Sequence, residues 1–249
     1  MRELSVAASK FDVMCCSETL TTNCRNQVEF LIPGFNKPIL HHRDSIPRAQ
    51  GMAVYIRSGF AAYRKSSFEC SCHEMRCVRV CGKYTNFYIF ACYRNPDAND
   101  QIFDCLLVKM AAVQEADVKA AFVVMGDFNA HQQQWLSSGS ATDSHGRAAS
   151  DFASLSGTVQ LISEPTHVRG NCLDIIFTDV PGLLTTSVGT PIGSSDHCLI
   201  SCTVKVVQNL PGITISQRVY LKSRANWVAI SRDISSISWH RIFNSEDPV

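Results

Sequence analysis

The segment Ala120-Ala-Phe-Val-Val-Met-Gly-Asp-Phe-Asn-Ala-His131 combines a buried strand with polar groups at its end. Its apolar run is typical of a core strand, and Gly126 allows a tight exit from that strand. Asp127 and Asn129 follow, one residue apart, so in an extended segment their side chains point to the same face. A carboxylate can take a proton from water and an amide can hold a phosphoryl oxygen, as phosphate hydrolysis requires. An ordinary Asx turn has the same Gly-Asp-x-Asn pattern.

Three further segments place acidic or histidine side chains within or beside apolar runs. Glu18 ends one run, and a carboxylate at a strand end is a usual ligand of Mg²⁺. Asp174 interrupts the run Cys172–Phe177, where a buried charge needs a partner. Asp196 and His197 precede another run, and His197 is the natural partner of Asp174 in a carboxylate–imidazole pair. For a single Asp-His pair, a structural histidine is the commoner role.

Short strands separated by turn signals recur along the chain, and two segments have helical periodicity. Gln101–Ala116 carries an apolar stripe at helical spacing, and Arg147–Leu155 is a shorter helix before Gly157. Many strands with a few long helices predict an α+β domain of two packed sheets with helices outside. The predicted strands are Asp12–Cys16, Met52–Arg57, Met75–Cys81, Phe87–Tyr93, Phe122–Met125, Cys172–Phe177 and Leu199–Val207.

Composition and charge exclude several classes of protein. Hydrophobic residues are 45% and charged residues 18% of the chain, which is ordinary for a folded globular protein. The formal net charge of +1 gives no global field, so a nucleic-acid surface would have to be a local basic rim. No apolar run approaches the roughly 20 residues that cross a bilayer, and the start does not resemble a signal peptide. The twelve cysteines contain no paired C-x-x-C motif, which favours reduced core thiols in an intracellular protein.

The pattern of the chain changes near residue 208. At 249 residues, one large domain is as plausible as two. Residues 208–249 form either a separate, mildly basic tail with one helix after Asn226 or a last strand and helix of the same domain. We assign 1–207 to the main domain and 208–249 to the tail.

The order of the polar segments resembles the endonuclease/exonuclease/phosphatase superfamily, which includes the apurinic endonucleases. The individual motifs are similar to those of the endonuclease domains of non-LTR (LINE-type) retrotransposons. The resemblance covers roughly 1–207, and its blocks are Ser17–Thr19, Tyr93–Pro96, Gly126–His131, Glu164–His167, Leu173–Phe177 and Ser195–His197.

This resemblance implies a four-layer α/β sandwich, with two mixed sheets face to face and helices outside. It also implies metal-assisted hydrolysis of a phosphodiester, with DNA as the substrate and Mg²⁺ (or Mn²⁺) as the cofactor. In retrotransposons such a domain nicks target DNA and leaves a 3′-hydroxyl that primes reverse transcription. The resemblance therefore predicts an intracellular protein that acts in the nucleus, without a membrane partner.

Roles for the catalytic residues follow from the resemblance. Asp127 would activate the attacking water, and Asn129 would fix that water and a phosphate oxygen. His197, oriented by Asp174, would stabilise the charge that develops on the scissile phosphate. Tyr93 would help to position the phosphate.

The metal and substrate residues are also implied in this way. Glu18 would be the main metal ligand, and Asp196 would lie near the metal directly or through water. Thr166 and Ser195 match polar positions that line the pocket. The sequence itself offers four arginines for phosphate contacts, namely Arg43, Arg48, Arg57 and Arg94.

The chain departs from the family at its start. Family members open with a strand bearing an asparagine near the metal, whereas Glu3–Lys10 corresponds to the helix after that strand. We therefore expect a truncated domain that lacks its first strand. The segment Arg218–Trp239 resembles the connector to a reverse transcriptase, which suggests a piece of a longer polyprotein. Two alternatives stay open: an inositol-phosphate or lipid phosphodiesterase of the same superfamily, and a non-catalytic retrotransposon-derived remnant.

Overall fold

A computed structural model describes residues 2–19, 30–41, 51–136 and 140–204. The predicted tail at 208–249 lies outside these residues, and so do Arg43 and Arg48. No helix within the described ranges is long and apolar enough to cross a membrane.

Three α-helices occur in the described part of the chain: α1 (Arg2–Ala8), α2 (Gln101–Ala116) and α3 (Ser144–Ser156). The prediction for α2 is confirmed at both ends. Helix α3 begins three residues before its predicted start because Asp143 caps it, its carboxylate accepting a 2.6 Å hydrogen bond from the Gly146 N–H.

A six-stranded mixed sheet forms the centre of the domain. Its spatial order is β4-β5-β6-β7-β9-β8, in which β6 and β7 are parallel and the other neighbours antiparallel. Helix α2 is the crossover that the parallel pair requires. The strands are β4 (Ala62–Arg64), β5 (Glu74–Val80), β6 (Asn86–Tyr93), β7 (Ala120–Asp127), β8 (Val159–Gln160) and β9 (Asp174–Thr178).

A second layer of strands covers the other face of this sheet. Among the described residues it consists of two antiparallel sheets, β1-β3-β2 and β10-β11. Strands β1 and β11 line a shared cavity of about 850 Å³. The predicted layered α/β fold is confirmed, but the described second layer is antiparallel, whereas a mixed sheet is expected. Its strands are β1 (Val13–Cys16), β2 (Ile39–His41), β3 (Met52–Ile56), β10 (Leu184–Pro191) and β11 (Cys198–Val204).

Two hydrophobic cores hold the layers together. Helices α2 and α3 pack on one face of the central sheet through buried side chains such as Leu106 and Phe152. On the other face, Met52 and Val54 of β3 pack with side chains of the central sheet such as Val123. Each fully buried side chain of this size contributes about 1.5–3 kcal/mol. The central sheet is therefore a rigid base for the loops at its ends.

Gly126 is required where β7 meets β6. Its φ is +147°, and a Cβ atom built there would lie 1.8 Å from the carbonyl oxygen of Cys92. Only glycine allows this approach. The close contact brings the next residue, Asp127, opposite the end of β6.

Candidate active site

Four polar residues form one row across the end of the central sheet. Glu74 on β5 lies opposite Tyr93 on β6, Tyr93 opposite Asp127 on β7, and Asp127 opposite Asp174 on β9. Directly opposed residues share a face of the sheet, so their side chains are neighbours. All four residues are buried. Sequence reasoning identifies three of them and misses Glu74, because the register of β5 is not visible in the sequence.

His197 lies beside this row. Its Nδ1 is 2.8 Å from Oδ2 of Asp174, so the expected carboxylate–imidazole contact is present. This hydrogen bond, together with the charges of Asp174, Asp127 and Asp196, raises the pKa of His197 to about 9 despite burial. The ring is therefore an imidazolium near neutral pH, and its Nε2–H is a donor.

Asp127 is a carboxyl with an unusual affinity for protons. Burial raises its pKa to about 7, the negative charges of Asp174 and Glu18 act in the same direction, and the positive His197 opposes them. A carboxylate whose pKa lies near neutrality is matched to proton transfer at that pH. Asp127, Asp174 and His197 also line the cavity of about 850 Å³, which is within the usual size range of ligand sites.

The turn Asp127–Asn129 is anchored by the residue at its centre. Phe128 is fully buried and packs on Phe103 and Phe177 at centroid distances of 5.5 and 5.9 Å. Asn129 has a positive φ of 47°, which is uncommon for a non-glycine residue and is often found at functional sites. Its Nδ2 donates to the Arg94 carbonyl at 2.9 Å and to Asp127 Oδ2 at 3.2 Å. The amide therefore holds the Asp127 carboxylate in place.

Glu18 reaches the row from the second layer. The Tyr93 hydroxyl donates a 2.6 Å hydrogen bond to Glu18 Oε1, and Glu18 also has a positive φ, of 52°. Burial and the contact with Glu18 raise the pKa of Tyr93 well above its usual value, so the hydroxyl keeps its proton. Tyr93 therefore orients the Glu18 carboxylate.

A second histidine, His167, joins the site from the loop before β9. Its Nδ1 accepts a hydrogen bond from the Arg169 N–H at 3.1 Å, so the neutral ring carries its proton on Nε2. That Nε2 lies 3.2 Å from Oδ2 of the exposed Asp196, and the ring meets His197 edge to face at 4.9 Å. His167 thus holds Asp196 next to His197. Only its place in the Glu164–His167 block draws attention to it in the sequence.

Comparison with protein families gives a match over residues 6–197 to the Endonuclease/Exonuclease/phosphatase family. The chain belongs to this family. Its membership places it among the nucleases and phosphatases that the family name describes, and so in the hydrolase class. No curated protein matches the sequence significantly.

Solved structures with the same fold include several nucleases. The endonuclease domain of TRAS1, a telomere-specific non-LTR retrotransposon, is 16% identical with a TM-score of 0.63, over 82% of this chain and 91% of that one. A 3′ phosphatase from Neisseria, bound to a product DNA hairpin, is 13% identical with a TM-score of 0.59, over 82% and 93%. The APE2 catalytic domain of Xenopus laevis is 11% identical with a TM-score of 0.55, over 84% and 89%. At these identities the likeness concerns the fold.

The donor set fits the divalent cation that the family resemblance implies. Glu18 and Asp174 are close enough to Asp127 for their negative charges to raise the pKa of Asp127. Neighbouring carboxylates, two of them buried here, repel one another unless a cation neutralises them, and oxygen ligands are those that Mg²⁺ prefers. Asp196 forms its own cluster of potential ligands with His167 and His197. Within the described ranges, Glu18 is not part of any such three-residue cluster.

Two of the residues predicted to contact substrate are buried and hydrogen-bonded to the backbone around the site. Arg94 is only 2% exposed, and its guanidinium donates to backbone carbonyls, among them those of Phe128, Ala98 and Asn129 at 2.8, 2.6 and 3.0 Å. Thr166 is fully buried, and its hydroxyl accepts hydrogen bonds from the N–H groups of Leu173 and Asp174. Both side chains support the backbone around the site.

Among the described residues, two more are predicted to contact substrate or phosphate, Arg57 and Ser195, and only one of them is exposed. Arg57 is hydrogen-bonded to the Asp12 carboxylate at 3.0 Å and to the carbonyls of Ser9 and Phe11, so it ties the end of β3 to the chain after α1. Ser195 is exposed, and its hydroxyl accepts from the His197 N–H at 3.1 Å. Ser195 shapes the turn that presents His197, and its exposure leaves it accessible to a ligand.

The Arg94→Met variant is expected to lose about 2–3 kcal/mol of unfolding free energy, because buried carbonyls around the side chain lose a charged donor. Chemical denaturation of the variant and the wild type measures this loss. The exposed Arg169→Met is the control and should change stability by less than about 0.5 kcal/mol. Equal stability of Arg94→Met and the wild type would contradict the structural role.

In metal-free protein, Asp174→Asn is expected to lower the pKa of His197 from about 9 toward 6.5, because its main hydrogen-bond partner loses its charge. Imidazole NMR titration measures this shift. A raised histidine pKa stabilises the fold fully below pH 6.5, and the stabilisation is lost as the pH rises through about 9. The difference in unfolding free energy between wild type and variant should therefore decrease as the pH rises from 6.5 to about 9. An unchanged His197 pKa would contradict the pairing.

Proposed function

We propose that this chain is a divalent-metal-dependent phosphodiesterase that nicks DNA, as a retrotransposon endonuclease does at its target site. The main support is the row Glu74–Tyr93–Asp127–Asp174, which places a proton acceptor beside the imidazolium of His197. The DNA substrate is supported by the motif blocks of the sequence. Fold similarity to the TRAS1 endonuclease domain and to a DNA-bound Neisseria enzyme is consistent with it.

Asp127 is the group we assign to activate water. Its pKa of about 7 makes it an effective proton acceptor in slightly alkaline solution. Asn129 holds one oxygen of this carboxylate through Nδ2 and a second through its backbone N–H at 3.0 Å. The Asn129 side-chain oxygen is then the acceptor that can orient the attacking water.

His197 is assigned to the phosphate. Because Nδ1 is held by Asp174, Nε2–H is the donor that faces a phosphoryl oxygen. A positively charged donor stabilises the negative charge that accumulates in the transition state more strongly than it stabilises the ground state. Thr166 supports this arrangement by fixing the backbone of Asp174.

Glu18 and Asp196 are the residues that would hold Mg²⁺ or Mn²⁺. A bound divalent cation would neutralise phosphate charge and polarise the scissile bond. Tyr93 keeps the Glu18 carboxylate in one orientation, and His167 does the same for Asp196. Both carboxylates are exposed and therefore accessible to a hydrated ion.

Nicking of supercoiled plasmid in the presence of Mg²⁺ tests the proposal. The wild type should convert supercoiled DNA to the open circle, and chelation should stop the conversion. Inositol phosphates and sphingomyelin, assayed in parallel, should not be hydrolysed. Hydrolysis of either in place of DNA would replace the substrate assignment, and inactivity of a folded protein on all three would favour the non-catalytic alternative.

Glu18→Gln is expected to raise the Mg²⁺ concentration for half-maximal nicking at least about tenfold, since it removes a charged oxygen ligand. Plasmid nicking titrated with Mg²⁺ measures this change. Glu115→Gln, also exposed but on helix α2, is the matched control. DNA binding in calcium should change little in either variant. A half-saturation equal to that of the wild type would exclude Glu18 as a main ligand.

A further inference from the structure

A cluster of thiols lies between α2 and the start of β5. Ligand atoms of Cys70, His73 and Cys105 all lie within 4.8 Å of one another. The Cys72 thiol lies outside this group of three but is hydrogen-bonded to Cys70, which makes it a fourth potential ligand. Three come from the loop 70–73 and one from the second turn of α2. None of them belongs to the candidate active site.

We propose that Cys70, Cys72, His73 and Cys105 form a structural zinc site that fastens the loop before β5 to helix α2. Three thiolates and an imidazole are one of the ligand sets of structural zinc. A tetrahedral site with zinc–sulfur bonds of about 2.3 Å places its ligand atoms about 3.8 Å apart. The ligand atoms of Cys70, His73 and Cys105 therefore need to approach one another by about 1 Å or less to reach that geometry, and the exposed Cys72 would complete the set by turning its side chain toward them.

The surroundings favour the thiolate form of Cys70 but not that of the other two cysteines. Cys70 is partly buried, which alone would raise its pKa, but hydrogen bonds from the Cys72 and Cys105 thiols and from the N–H groups of Cys72 and His73 lower it below its usual value. Burial and the contact with Cys70 raise the pKa of Cys105 to about 12, and the contact with Cys70 also raises the pKa of Cys72, while the positive charge of Lys109, one turn after Cys105 on α2, opposes both shifts. Thiolate is the form that binds a metal ion.

A disulfide explains the cluster less well than a metal ion does. It would use only two of the three thiols. Soft sulfur ligands with an imidazole select zinc over the hard cations, whereas the carboxylates of the active site prefer Mg²⁺. The two sites should therefore bind different metals in the same solution.

This zinc site would affect the active site only by fixing the position of the start of β5. Glu74, the first residue of the row across the central sheet, directly follows His73. Its Oε2 accepts a hydrogen bond from the Gly51 N–H at 3.0 Å. A fixed loop 70–73 holds the start of β5 in register with Tyr93, where Glu74 is buried.

Metal analysis of the full chain tests the zinc site. The protein is expressed with added zinc and dialysed against excess Mg²⁺, which occupies the carboxylate site. We expect about one zinc ion per chain, and Co²⁺ substitution should give sulfur-to-metal charge-transfer absorption. Absence of zinc from folded wild-type protein, or cobalt absorption without the sulfur band, would overturn the proposal.

Variants separate ligation from folding. Cys105→Ser and His73→Asn should each lower the zinc content at least about fivefold, because a three-ligand site binds more weakly. Cys81→Ser is the matched control, since Cys81 is also half-buried but follows the opposite end of β5. Circular dichroism monitors the fold, and His73→Asn on the loop is informative even where Cys105→Ser does not fold. Full zinc content in folded His73→Asn would refute this ligand set.

Discussion

Replacing Asp127 with asparagine is expected to lower the rate of plasmid nicking by about 10³-fold, within the usual range for loss of a general base. Asparagine is nearly the same size and its one side-chain oxygen can still accept a hydrogen bond from Asn129, but it cannot accept a proton from water. Nicking under single-turnover conditions at saturating Mg²⁺ measures the chemical step. The exposed Asp151→Asn on α3 is the control and should retain full activity.

The stability of Asp127→Asn gives an independent check of the same assignment. The pKa of Asp127 is raised from 3.8 in the unfolded chain to about 7 in the folded protein. The free energy of unfolding therefore decreases as the pH rises from about 3.8 to about 7. Above pH 7, metal-free Asp127→Asn should therefore melt no lower than the wild type, which carries the buried charge. A variant that retains the wild-type nicking rate would refute the catalytic role. A variant that melts far lower would refute the electrostatic account.

The sequence predicts those contacts in which a residue's place in the local pattern requires a partner. Asp174 interrupts an apolar strand, and a buried carboxylate requires a partner, so its contact with His197 follows from the sequence. The Asp127–Asn129 turn is also a local property, but it forms as an Asx turn, in which the Asn129 N–H donates to Asp127 Oδ1 and Asn129 has a positive φ of 47°, and not as an extended segment. Helix α2 follows from its apolar period and the absence of competing turn signals.

The features that the sequence did not predict depend on how separate segments meet. Arg94 looks like a surface cation, but its guanidinium turns inward because carbonyls of two loops converge on it. The sequence does not predict strand β10, because its threonines, Ser187 and Gly189 leave no apolar alternation. The strand is recognised only by its pairing with β11. The zinc ligands are likewise far apart in sequence, since Cys105 joins Cys70 only when α2 packs beside that loop.

His197→Gln is expected to lower the nicking rate by about 10²–10³-fold, the usual cost of removing one transition-state donor. Glutamine keeps a hydrogen-bond donor but has no charge, so the loss measures the imidazolium. The matched control is His145→Gln, because His145 also contacts an aspartate, Asp100, at 2.7 Å and has similar exposure on α3. That variant should nick at the wild-type rate.

The double variant Asp174→Asn/His197→Gln tests whether Asp174 and His197 act together on the nicking rate or contribute to it independently. Because Asp174 acts through the imidazole, its removal should cost little once His197 is replaced, so the double variant should nick about as fast as His197→Gln alone. Single-turnover rates of the four proteins, with plasmid affinity measured in calcium, complete the cycle. Additive losses would mean that Asp174 contacts substrate or metal directly. Unchanged nicking by His197→Gln would remove the imidazolium from the mechanism and leave the reaction to Asp127 and the cation.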